Sequence, residues 1–218
     1  MASRSGIIID PELKHHVDST YSPLPRDEQE KLIEAMLTLT EAARDRRISL
    51  RAFLERVART LFRFFSLDEI AIGLYDRTQK MFVYEVLFGY PSDLAAQYSR
   101  LKYEYEDMIS NDRYPFIRTG KLSELDPVEG LPSDERQILN RPYAGSLARA
   151  AEDEFHEGDY IDVWMYGPQK SLLGWLEISK PRSGRLPSRT NLRWIEVIAS
   201  ICSFAIRQRW LQEDVARR

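Results

Sequence analysis

Residues 158–189 read GDYIDVWMYGPQKSLLGWLEISKPRSGRLPSR, and their pattern decides the fold. Asp159–Tyr166 has the aromatic and β-branched content of a strand, Gly167-Pro168-Gln169-Lys170 is a turn, and Ser171–Ser179 is a returning strand. Together they make an antiparallel hairpin. Pro181-Arg182-Ser183-Gly184 then breaks the chain, and Ser188 caps a helix running from about Arg189 to Arg217. Between Leu192 and Ile206 that helix is apolar nearly all round, through Trp194, Ile195, Val197, Ile198, Ile201 and Phe204. One packed face does not account for it. Either the helix is sunk in the core, or one face lies on the sheet and another on a second subunit.

Working back from this stretch, a second hairpin pairs Glu69–Tyr75 with Met81–Gly89 around Asp76-Arg77-Thr78-Gln79. Strict alternation puts Ile70, Ile72 and Leu74 on one face and Ala71, Gly73 and Tyr75 on the other. The partner strand sets Phe82, Tyr84, Val86 and Phe88 against Met81, Val83, Glu85 and Leu87. Both faces are largely apolar, so both require cover. Ahead of the hairpin, Ser49 caps a helix in which Leu50, Phe53, Leu54, Val57, Ala58, Leu61, Phe62 and Phe65 recur at helical spacing. An earlier helix runs from about Asp27 to Arg44, with Leu32, Met36, Leu39 and Ala43 at steps of 4, 3 and 4. Residues 1–24, with Pro11 and Pro23, read as an N-terminal arm with a short strand at Gly6–Asp10, and residues 25–218 as a single domain. After the hairpin, Pro91-Ser92-Asp93 opens a helix to about Ile109. Residues 111–145 read as irregular, with a strand at Tyr114–Arg118 and a helical turn at Ser133–Leu139, and Ser146–Phe155 as helical. A segment that long without strong elements is usually functional.

The fold class that follows is α+β: a central antiparallel sheet flanked by helices on both faces, with long terminal helices. The run from Gly158 through Gly167-Pro168-Gln169-Lys170, then Leu172-Leu173-Gly174-Trp175-Leu176-Glu177-Ile178 and Pro181-Arg182-Ser183-Gly184-Arg185-Leu186-Pro187-Ser188-Arg189, resembles the C-terminal half of a GAF domain. The likeness covers roughly residues 45–212 and is most specific over 158–206. Lys170 stands where the family commonly has a turn glycine. The resemblance implies a GAF-like (profilin-like) fold and a sensory or regulatory role. It also implies a small-molecule ligand held between the sheet and the irregular segment, and a homodimer joined through parallel terminal helices. It leaves the ligand's identity, and any cofactor, unknown. Because the 218 residues carry no fused output domain, the signal is expected to pass to a separate signalling protein.

Composition and motifs narrow the chemistry. Hydrophobic residues make up 43% and aromatic residues 11%, enough for a core, and no apolar run approaches the roughly 18 residues of a membrane span. The start, MASRSGIIID, lacks the apolar stretch of a secretory signal. Cys202 is the only cysteine, which excludes intramolecular disulfides and thiol–disulfide recycling and fits a reducing cytoplasm. Within the terminal helix it reads as an inert buried thiol and not a chromophore attachment point. Gly-x-Ser-x-Gly, HExxH, Walker and GxGxxG patterns are absent, so no enzymatic activity is expected. His15 and His16 fall in the arm, and His156 reads as a surface residue, so no metal site is expected. The net charge of −3 offers nothing to nucleic acid, and the connection Ala42–Ile48 lacks the tight turn of a helix-turn-helix. Charge is unevenly spread, however: −7 over residues 100–162 and +6 over residues 180–218.

If Leu172, Leu176 and Ile178 face the terminal helices, Leu173, Trp175 and Glu177 face the other way. The candidate ligand-binding set on that side is Tyr75, Glu85, Tyr114, Phe116, Arg118, Asp162, Trp164 and Trp175. Such a mixture stacks on a planar ligand and hydrogen-bonds its edges. The alternative is a dimeric interaction scaffold in which these aromatics fill the space themselves.

Overall fold

In the computed structural model of the chain, which describes Glu12 and residues 27–109, 116–130 and 149–216, two helices lead into the sheet. Asp27 opens the first, its carboxylate accepting from Glu30 N at 2.8 Å, and α1 spans Glu28–Arg44. The chain divides within this helix into units of residues 1–37 and 38–218. The described part of the first is the start of α1, where Lys31 pairs with Glu28 at 2.6 Å. Everything below concerns the second. The expected arm, the strand Gly6–Asp10 and the turn Ser133–Leu139 lie outside the described residues.

Ser49 caps α2 (Leu50–Phe65) by accepting from Ala52 N, and the helix buries Phe53, Leu54, Val57, Ala58, Leu61 and Phe65. There follow β1 (Leu67–Asp76), β2 (Met81–Phe88), α3 (Ser92–Tyr98), β3 (Lys102–Tyr103), α4 (Tyr105–Ile109), β4 (Ile117–Arg118), β5 (Ser123–Asp126), β6 (Tyr160–Tyr166), β7 (Leu172–Pro181) and α5 (Arg189–Ala216). The strands form one antiparallel seven-stranded sheet in the order β3-β2-β1-β7-β6-β5-β4. Asp76 fixes the first hairpin turn, its Oδ1 accepting from Thr78 N at 2.7 Å and Gln79 N at 3.0 Å. These hydrogen bonds to the charged form hold its carboxyl below the usual range.

One face of the sheet lies under α2 and α5. Ile70 and Ile72 of β1, Ile161 and Val163 of β6, and Leu176 and Ile178 of β7 meet there in register, all fully buried. Leu192, Ile195, Ile198, Ala199, Cys202, Ala205 and Ile206 supply the buried side of α5. Arg209 fastens this layer. Its guanidinium donates to the carbonyls of Ala43 and Ile48, each at 3.1 Å, and stands over the Phe53 ring. The terminal helix is therefore only half sunk. Val197, Phe204, Leu211 and Val215 are exposed.

Several expectations are corrected. The helix expected over 91–109 is two short helices separated by β3, because Lys102 and Tyr103 pair with Val83 and Phe82 at the sheet edge. Residues 149–155 are not helical: the Arg149 side chain donates to the Glu154 carbonyl and the Asp159 carboxylate, and Glu154 bridges to Arg185. β5 forms inside a segment that reads as irregular. Leu172 packs with Phe82 and Trp175 on the face away from α2 and α5, since the register slips between Met165 and Tyr166. Among the described residues no helix is long and apolar enough to cross a membrane.

Candidate functional site

The face away from α2 and α5 has two ends of different chemistry. At one end, toward β2 and β3, Phe82, Leu172 and Trp175 form a buried cluster against Tyr75, Tyr84, Tyr103, Tyr105, Met108 and Trp164. Gly73 makes this possible. It sits directly across from Trp175, and a Cβ there would fall 2.0 Å from the indole ring. Tyr84 meets that indole edge-on at 5.2 Å, and the Tyr105 hydroxyl accepts from Leu172 N at 3.0 Å, tying α4 to the start of β7.

At the other end, three carboxylates line up across neighbouring strands. Glu124 of β5 pairs in register with Asp162 of β6, which pairs with Glu177 of β7. They are 7%, 7% and 4% exposed. Glu177 accepts from the hydroxyls of Tyr84 (2.8 Å), Ser179 (2.8 Å) and Tyr90 (3.3 Å), and Tyr90 and Ser179 are themselves 2.7 Å apart. Glu124 takes the Trp164 ring N–H and lies 3.6 Å from Arg118. Asp162 Oδ1 is buried and has no hydrogen-bond partner. Burial, then the charges of Glu177, Asp126 and Glu124, push its carboxyl well above the usual range. Burial also raises Glu124, against the Trp164 hydrogen bond and the Arg118 charge. Among the described residues no group of His, Cys, Asp and Glu converges to hold a metal ion.

Beyond Ser179 the face opens into a groove of about 590 Å³ between α3 and the start of β1 and end of β7. Leu94, Phe155 and Pro181 give it an apolar lining, and Asp93, Glu157 and His156 a polar one. His156, expected at the surface, is 7% exposed. Its Nε2 lies 3.4 Å from Glu154, and its Nδ1 has no partner. The loop carrying it hangs on Asp159, whose buried carboxylate accepts from Arg149 (2.7 Å), His156 N (2.7 Å) and Val128 N (2.9 Å).

Of the expected set, the structure brings Tyr75, Asp162, Trp164 and Trp175 onto this one face. Phe116 and Arg118 sit at its rim, with the Arg118 guanidinium over the Phe116 ring. Glu85 does not belong. A β-bulge between Val86 and Tyr84 breaks the alternation, and Glu85 turns to the α2 side, 3.7 Å from Arg51. Tyr114 lies outside the described residues. Glu177, expected on this face by alternation, is there; Glu124, Ser179 and Tyr90 were missed, and the signal for Glu124 was a charged residue inside a strand flanked by apolar neighbours.

No family model matches the chain, and no curated protein does. Solved structures do. The chain is similar to the GAF domain of a phosphoenolpyruvate-protein phosphotransferase from Coxiella burnetii, at a TM-score of 0.54 and 12% identity over 84% of this chain and 96% of that one. It is similar to the GAF domain of an Acinetobacter phosphoenolpyruvate-protein phosphotransferase, at 0.53 and 10% over 81% and 92%. A GAF domain/HD domain protein from Geobacter sulfurreducens matches at 0.54 and 13% over 79% and 98%. The fold is GAF-like.

Proposed function

We propose that this GAF-like chain is a non-catalytic regulatory module that holds a small ligand on the sheet face opposite α2 and α5. The single observation that carries the reading is the buried row Glu124–Asp162–Glu177, with an oxygen of Asp162 left without a partner. A fold that needed only to close its core would put apolar side chains there, as the other face does. A cytoplasmic location belongs to the same proposal, since Cys202 is the only cysteine.

The output runs through a homodimer built on α5. Val197, Ile201, Phe204, Gln208, Leu211 and Val215 follow at steps of 4, 3, 4, 3 and 4, the spacing of a two-helix seam. Four of the six are exposed large apolar residues in the isolated chain. A second copy of α5 covers this stripe, and Arg209 ties the same helix to the end of α1. A ligand shifts the helix arrangement only by binding one arrangement better than another.

The test is a thermal-shift screen of the full chain against a metabolite library. A binder raises the melting temperature with concentration, following RT ln(1 + [L]/Kd). Silence across the library supports the second reading, a dimeric scaffold without ligand. That reading has one observation in its favour: Trp175 and Phe82, 2% and 0% exposed, already fill their end of the face.

A further inference from the structure

We propose that the acidic end of this face binds a small organic cation (an amine, an amidine or a protonated heterocycle) whose positive group is held at Asp162. The inference rests on the reading of this face as a ligand site and names the ligand's chemistry.

Glu177 is served by three hydroxyls and Glu124 by an indole N–H and a nearby guanidinium. Asp162, between them and 7% exposed, has a buried oxygen with no donor. Carboxylates directly opposite each other across strands repel, and burying a carboxylate without a partner is unfavourable. A group that brings both N–H donors and positive charge settles both deficits at one atom. The three carboxylates sit side by side along the sheet and do not converge on one point, which suits an extended organic cation better than a metal ion.

The groove beyond Ser179 has the same bias. The groove that ends at Ser179 is lined by four acids, Asp68, Glu69, Asp93 and Glu157, against Lys180 and Arg182. Lys180 pairs with Glu69 at 3.4 Å and Arg182 with Asp68 at 2.8 Å, so the excess charge is that of Asp93 and Glu157. His156 Nδ1 adds a second buried atom without a partner in the wall. The net negative charge of this lining favours a cation over a phosphate or carboxylate ligand. The neighbouring rings of Trp164, Trp175 and Tyr84 share the face, and aromatic faces attract cations.

Three probes of one shape and different charge test it: benzamidine (cation), benzamide (neutral) and benzoate (anion), titrated into the full chain by calorimetry. The expected order is benzamidine at least tenfold tighter than benzamide, with benzoate weakest. Asp162→Asn lowers the preference for benzamidine over benzamide by about tenfold. Glu177→Gln, at a carboxylate already served, costs about twofold. A readout free of any variant is the Asp162 carboxyl ¹³C resonance, which moves on addition of benzamidine. Benzamide or benzoate binding as tightly as benzamidine overturns the cation assignment, as does an Asp162→Asn variant with its preference intact. If none of the three binds while the metabolite screen yields a ligand, the cation assignment falls and the ligand-site reading stands. Failure of both removes both.

Discussion

The same strands present two faces that obey different rules. Under α2 and α5, Ile70, Ile72, Ile161, Val163, Leu176 and Ile178 meet in register and are fully buried. On the reverse side the alternate residues of β6 and β7 are Asp162, Trp164, Trp175, Glu177 and Ser179. One face is what the chain needs in order to fold. The other retains buried charge that hydrophobic burial alone would remove, and positions of that kind concentrate where a protein does its work.

Four substitutions sharpen the contrast, each landing on a different part of it. Ile198→Asp, at a fully buried position of α5, places an unpaired charge in the helix-covered layer and abolishes the cooperative thermal transition seen by circular dichroism. Trp175→Ala empties the aromatic end of the other face and lowers unfolding free energy by about 3–5 kcal/mol in urea titrations. Asp162→Asn acts with the opposite sign. Because burial and neighbouring carboxylates raise the native carboxyl above its unfolded value, its stabilising contribution exists below the unfolded value and is lost as pH rises through the native one. The variant therefore matches wild type in acid and becomes more stable, by up to about 1 kcal/mol, once Asp162 has ionised. Equal stability at every pH places Asp162 in contact with water or a counter-charge. Phe204→Glu, on the exposed stripe of α5, leaves the melting temperature within a degree or two and abolishes the proposed dimer in light-scattering chromatography. A variant that melts early shows that the stripe belongs to the fold.

The two faces also differ in how far they could be read in advance. The helix-covered face was legible because large aliphatic residues alternate in Ile70–Leu74, and again in Leu176 and Ile178, the spacing of a strand with one face buried. The site face was legible where alternation ran unbroken, through Asp162, Trp164, Trp175 and Tyr75. It failed at Glu85, because a bulge inserts one residue and reverses every side chain beyond it, and local sequence carries no mark of a bulge. β5 was invisible for another reason. Ser123-Glu124-Leu125-Asp126 has poor strand propensity and is held by partners distant in sequence: the β6 ladder, and Glu196 of α5, which accepts from Leu122 N at 2.7 Å and the Ser123 hydroxyl at 3.0 Å. The acid row is completed only through that pairing, so Glu124 read singly looks like an ordinary surface charge, whereas alternation alone places Asp162 and Glu177 on the face.

The measurement that bears most directly on the account is a ¹³C NMR titration of the Asp162 side-chain carboxyl in the ligand-free chain. A buried carboxylate flanked by Glu124 and Glu177 and missing a donor titrates well above the usual aspartate range. A midpoint at or below that range contradicts it, because Asp162 would then already have the partner that the proposed ligand is meant to supply.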